Sequence, residues 1–292
     1  MEYATASTKP NALLNAKTRL RSAAFVLRYT FPNLLQPRIG LSDTGSRWLE
    51  TLRRDGIVRI EEERFRRLAD YVEETYFAQL QQGSPLSDGT GRPLFVKDIN
   101  KAAYKDGGTE ISSIISFKDP VLATLFFDSD LHVVLYNYYH RQPYFRNQPV
   151  LQKIHYDGQR PHLSNGNWHV DNLHQVSIMF LISDVTERDT HMQYAIGSHT
   201  RVWPVGTYPE SLVAQRGWSV FEATGLKGTF FLFDAGGIHR ANYVGGTTRK
   251  ILHLNFTTGH NISADRHDHL DAWPELSTYP KYSRRMMEKV GL

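Results

Sequence analysis

The 292-residue chain contains no cysteine. This excludes a disulfide framework, a thiolate metal site and a cysteine nucleophile, so any metal has to be held by histidine, aspartate or glutamate. Long apolar runs are lacking as well. The longest, Ala23 to Leu27 and Ile178 to Ile182, fall well short of the roughly 18 residues that a membrane span needs. The N-terminus lacks the apolar core and small-residue cleavage site of a secretory signal. The expectation is a soluble, cytoplasmic protein.

Excess charge is also scarce, but it is unevenly placed. The chain carries a net +4. Residues 1–40 hold Lys9, Lys17, Arg19, Arg21, Arg28 and Arg38 against Glu2 alone, a local +5, which leaves the remainder at −1. A near-neutral body lacks the basic stripes of a nucleic-acid partner. Residues 11–31 read as a basic amphipathic helix, with Leu13, Leu20, Ala24, Leu27 and Phe31 on one face and Lys17, Arg21 and Arg28 on another. Packing on the protein's own core is the favoured reading. Peripheral contact with the inner face of an anionic membrane is the second, and a transit peptide the third.

Beyond the arm, 47–54 predicts a helix, 57–60 a strand after Asp55-Gly56, and 61–82 a charged helix. Gly83 to Arg92 reads as a loop. Strand-like runs follow at 133–139, 150–155, 175–182, 192–196, 219–222, 229–233 and 250–257, separated by turn formers. Short strands so spaced predict a sandwich or barrel rather than alternating β-α units. The chain is read as a helical arm over 1–46 and one domain over 47–292, with N-terminal helices, a mainly β core and a short C-terminal helix.

Three His-x-Asp pairs occur: His155 with Asp157, His169 with Asp171, and His269 with Asp271. Residues i and i+2 of a strand share a face, so such a pair can reach one metal. The last pair sits in a polar stretch without a following strand. His155-x-Asp157 runs into a turn. His169-x-Asp171 follows Trp168 and leads into the apolar strand at 176–182, which would hold the ligands rigidly. His239 lies just past the strand and turn at 228–237. Arg249 opens a strand on which Ile251, His253 and Asn255 share its face. Two histidines and one carboxylate that leave open positions form the facial set of non-haem Fe(II) oxygenases. A neighbouring arginine suits a dicarboxylate co-substrate. A polar residue satisfied near a strand end is the alternative for each of them.

This ordered series resembles the Fe(II)- and 2-oxoglutarate-dependent oxygenases, specifically the phytanoyl-CoA dioxygenase-like branch. The matching segments are Asp55 to Ile60, Trp168 to Asp171, Gly197-Ser198-His199, His239 to Asn242 and Thr248-Arg249, within residues 47–257. The sequence departs from the branch at Asp189-Thr190, where Asn-Gly is frequent, and at Ile196, where proline is usual. The resemblance implies a double-stranded β-helix of the jelly-roll type with the metal at one open end. It implies that His169, Asp171 and His239 ligate Fe(II) and that 2-oxoglutarate chelates the metal while Arg249 grips its far carboxylate. Dioxygen, succinate and CO2 complete the reaction, and hydroxylation is favoured over halogenation because Asp171 occupies the space a halide would need. Asp157 is the rival of Asp171, and Lys250 replaces Arg249 if the strand register shifts by one. Tyr138 and Gln152 are further candidates for 2-oxoglutarate contacts. His253 and Asn255 either line the same pocket or pack in the core. A cupin-type metalloenzyme without 2-oxoglutarate and a non-catalytic jelly-roll binding module are the competing functions. The substrate expected is a small molecule or, if the arm touches a membrane, a lipid-linked anionic one such as a lipopolysaccharide core sugar.

Overall fold

The structure is a computed structural model that describes residues 39–78, 95–104, 108–115, 117, 119–140, 143–146, 149–156 and 166–257. The helix expected at 11–31, the 83–92 loop, Asp157, the His269-x-Asp271 pair and the expected C-terminal helix lie outside the described residues.

Helix α1 (Asp43–Asp55) starts at Ser42, whose side chain accepts from Gly45 N, and ends at Gly56, which takes φ 83°. That left-handed cap turns the chain directly into strand β1 (Ile57–Ile60), a conformation glycine adopts without strain. A Cβ on Gly56 would collide with His199 and the Tyr194 hydroxyl, so the turn also brings α1 against the Gly197-Ser198-His199 segment. Helix α2 (Glu63–Val72) continues into a π turn, Glu73–Phe77. It buries Phe65, Leu68, Ala69 and Val72, then Tyr76 and Phe77.

Residues 133–139 are not the strand expected. They belong to helix α4 (Ser129–Tyr139), which follows the short α3 (Ala123–Phe126). Asp128 caps α4 by accepting from Leu131 N at 2.9 Å. The buried positions Leu131, Val134, Leu135 and Tyr139 recur at helical spacing. Here a cap and a buried stripe outweigh the strand preference of Val133-Val134.

The remaining elements are strands: β2 (Phe95–Tyr104), β3 (Gly108–Ile115), β4 (Tyr144–Phe145), β5 (Val150–Tyr156), β6 (Trp168–Val170), β7 (Gln175–Leu181), β8 (His191–Ala195), β9 (Gly206–Tyr208), β10 (Val220–Ala223), β11 (Phe230–Asp234), β12 (His239–Asn242) and β13 (Thr247–Thr257), with α5 (Ser211–Arg216) between β9 and β10. Among the described residues they form an eight-stranded sheet, ordered β1-β11-β7-β13-β5-β3-β2 with β4 beside β13, and a five-stranded sheet, ordered β10-β8-β12-β6-β9. All pairs among these strands are antiparallel. Both sheets face each other as a double-stranded β-helix, the jelly-roll core expected.

Alternation along the strands divides the core in two. Val176, Ile178 and Phe180 of β7, with Leu252, Leu254 and Phe256 of β13, point outward onto the helices. Met179, Leu181, Phe231, Phe233 and Ile251 point inward and meet Met192 and Tyr194 of the small sheet. The inner face is therefore the one that surrounds any site between the sheets.

Candidate metal centre

Strands β6 and β12 are adjacent and antiparallel, with His169 directly opposite His239. Directly opposed residues point to the same side of a sheet, and the two imidazoles lie 4.4 Å apart. Asp171, just past β6, extends toward both. Its Oδ1 is 3.5 Å from His169 Nε2 and its Oδ2 is 3.6 Å from His239 Nε2. Among the described residues, His169, Asp171 and His239 form the one group of three whose ligand atoms all lie within 4.8 Å of one another.

The supporting bonds fix which nitrogens face inward. His169 Nδ1 donates to Asn167 O at 2.7 Å, and His239 Nδ1 donates to Gly237 O at 3.0 Å. A carbonyl can only accept, so each Nδ1 carries a hydrogen and Nε2 is the nitrogen of each ring that faces Asp171. Nε2 is thereby the atom each ring offers to a metal. The His239 ring is further held between Tyr194, centroids 6.3 Å apart, and Phe233, 5.4 Å. A Cβ on Gly237 would collide with the Tyr194 hydroxyl. Tyr194 OH also donates to Asp234 O at 2.9 Å.

The electrostatics agree with a ligand set. Burial and the neighbouring His239 push the His169 imidazolium pKa down, which keeps the ring neutral. Burial alone would raise Asp171, but the hydrogen bond and charge of His239, with His169 and His253, hold it at about 2. It is thus a carboxylate at any physiological pH. The Asp171 side chain is 41% exposed while those of His169 and His239 are 14% and 6%. The group is closed behind the histidines and open on the aspartate side.

Arg249 is buried on the inner face of β13, with Nη1 3.7 Å from Met179 Sδ. Lys250 leaves by the outer face, where its Nζ meets Glu73 Oε1 at 2.5 Å and lies over the Phe77 ring. The register therefore gives the inner position to Arg249. His253 shares that face, and burial, with Arg249 and His239 nearby, lowers it to about 4 even though Asp171 raises it. Gln152 pairs across with Ile251, and Asn255 with Ser177. Tyr138 is placed differently. It lies on α4, and its hydroxyl donates to Asp234 Oδ2 at 2.5 Å. His155 of the rival pair faces Thr248, Nδ1 to Oγ1 2.8 Å.

Sequence reasoning missed Asp234. Its Oδ1 accepts from Gly236 N at 2.7 Å, so it braces the Ala235-Gly236-Gly237 turn that delivers His239. Burial raises its carboxyl, against the bonds from Tyr138 and Gly236. A lone acidic residue closing an apolar strand five positions before a ligand was the available signal.

No protein-family model matches the sequence, and no curated protein matches it significantly. Solved structures do match in fold. EctD from S. alaskensis with 2-oxoglutarate and 5-hydroxyectoine is 17% identical over 77% of this chain and 80% of that one, with a TM-score of 0.54. The same protein with bound Fe gives 17%, 77%, 81% and 0.52. SnoK, a non-heme alpha ketoglutarate dependent carbocyclase from nogalamycin biosynthesis, is 12% identical over 75% and 84%, with a TM-score of 0.50. At these identities the likeness is one of fold.

Proposed function

We propose that the chain is a non-haem Fe(II)- and 2-oxoglutarate-dependent oxygenase that hydroxylates an unactivated C–H bond of a substrate yet to be identified. The observation that carries this reading is the pairing of His169, Asp171 and His239, preset with both Nε2 atoms inward, with a buried Arg249 on the same interior. The donor set fits the metal: two imidazoles and one carboxylate converge, and the exposed side stays open for other ligands. EctD carries Fe in one structure and 2-oxoglutarate in another, which supports the same pairing of metal and co-substrate here.

Bound at this triad, Fe(II) would supply, with dioxygen, the oxidative decarboxylation of 2-oxoglutarate to succinate and CO2 that is coupled to hydroxylation. The chain's own residues do the rest. Asn167 O and Gly237 O keep the two imidazoles with Nε2 facing inward. Asp171 stays ionised and offsets cationic charge. Arg249, fixed in charge and forked, takes the far carboxylate of the co-substrate and so sets its orientation. Phe231, Phe233, Leu181 and Ile251 line the interior and exclude bulk water from that end.

The test is succinate formation from 2-oxoglutarate, with Fe(II) and ascorbate, in the presence and absence of added small-molecule and lipid-linked substrates. Metal-dependent turnover is expected even without substrate, at a low uncoupled rate. A protein that binds Fe(II) yet never consumes 2-oxoglutarate under any of these conditions would be the cupin-type enzyme instead.

A further inference from the structure

The inner face of β13 carries a second polar group at the end away from Arg249. Asn255 Oδ1 accepts from Ser177 Oγ at 2.6 Å and from Gln175 Nε2 at 3.2 Å, and Gln175 Nε2 also reaches Ser177 Oγ at 2.9 Å. Gln175 and Ser177 are buried. The Gln175 side-chain oxygen accepts from Arg146 Nη1. Arg146 follows β4, and its amide donates to Asn255 O at 2.8 Å. This continues the Phe256–Phe145 register and puts Arg146 beside Asn255 on the inner face.

Arg146 is half-buried, and among the described residues its side chain has this neutral amide and no carboxylate as partner. By contrast Arg54, Arg59, Arg64 and Arg240 each meet a carboxylate. A guanidinium has five donors, and a partly desolvated charge calls for a counter-charge. Gln175, itself fixed by Ser177 and Asn255, holds this cation rather than neutralising it.

Its location ties it to the metal centre. Asp171 N donates to Ala235 O at 3.2 Å, and Ala235 N donates to Gln175 O at 2.8 Å. Gln175 is four positions on from Asp171, a span of at most about 14 Å. Arg249 stands six residues from Asn255, about 20 Å along the strand, with His253 between them. The two interior arginines therefore lie toward opposite ends of one strand face.

We propose that Arg146, held by Gln175 of the Gln175–Ser177–Asn255 network, binds an anionic group of the substrate, a carboxylate or a phosphate monoester. It is a specificity determinant and takes no part in holding metal or 2-oxoglutarate. The inference rests on the oxygenase reading in so far as the metal centre makes this end of the interior the substrate end.

The experiment is ligand-observed NMR on the full chain, with the 31P linewidth of inorganic phosphate and the 13C linewidth of labelled acetate as probes. Wild type, Arg146→Gln, Arg146→Lys and the exposed control Arg188→Gln are compared. At least one anion should bind wild type and Arg188→Gln alike and bind Arg146→Gln roughly tenfold or more weakly, the effect of a lost charge-assisted bond. Arg146→Lys, which keeps the charge without the fork, should fall between and serves if the glutamine variant does not fold. Phosphate alone or acetate alone responding assigns the class. Binding of both anions that ignores position 146, or no binding at all, overturns the proposal. Because these readouts need no metal, an Arg146-dependent signal in a protein that fails to bind 2-oxoglutarate would sink the oxygenase reading and leave this subsite standing.

Discussion

A single register decision separates an inward cation from an outward one in this protein. Arg249 and Lys250 are neighbours, yet one faces the interior beside Met179 and the other joins Glu73 across the outer face. Burial would raise the Glu73 carboxyl, but Lys227 and Lys250 bring it below its usual value, so Lys250 is committed to an ion pair. Arg249→Gln should raise the KM for 2-oxoglutarate roughly 10- to 100-fold, the effect of removing a charge-assisted fork. Lys250→Gln should leave that KM within about twofold and cost about 1 kcal/mol of stability, since the pair is only partly buried. Steady-state kinetics at varied 2-oxoglutarate and urea unfolding read the two effects. The alternation of Arg249, Ile251, His253 and Asn255 was legible in the sequence because a strand has period two. The support from Asp234, Tyr138 and Tyr194 was not, because those residues meet only after α4 and the two sheets have packed.

At the level of elements, the chain is most legible where a local signal and a buried face agree. Residues 57–60 and 175–181 are strands as expected, and α1 extends the helix expected at 47–54 to Asp43–Asp55. Segment 133–139 was misread because two β-branched residues concealed a capped helix. The β2–β3 hairpin went unseen because Phe95 to Tyr104 shows no apolar alternation. Turns that press on neighbours are further points that sequence reading passes over. Gly228, in the turn before β11, has φ 92°, and a Cβ there would lie 2.6 Å from Arg66 Cα and 2.8 Å from Arg66 N in α2. Backbone cannot give way as a side chain can. Gly228→Ala should therefore destabilise by roughly 2–4 kcal/mol, combining the unfavourable φ with the clash, seen as a lower urea midpoint. The folded fraction should still bind one metal, since the triad lies on other turns.

At the scale of the whole molecule, the helices and the large sheet share one core, and that core contains a titratable ring. His132 is fully buried, with Nε2 2.8 Å from Phe126 O, and burial lowers it to about 4. In the unfolded chain it titrates near 6.5. Between those values the unfolded state binds the proton and the folded state does not, so stability falls as pH drops through that window and levels off below it. Wild type should lose on the order of 2 kcal/mol between pH 7 and pH 5 through this group. His132→Gln should flatten the dependence in denaturation curves recorded at both pH values; an unchanged slope would place the acid sensitivity elsewhere.

The central claim concerns the interior, where one metal and one co-substrate are to meet between the sheets. Anaerobic titration of the protein with Fe(II) and 2-oxoglutarate, followed by visible absorption, tests it most directly, since chelation of Fe(II) by the 2-oxo acid produces a charge-transfer band. Wild type should develop the band at one equivalent of Fe(II), Asp171→Ala should lose it, and Asp157→Ala should keep it. No band in wild type, or a band that survives Asp171→Ala and disappears with Asp157→Ala, would contradict the account.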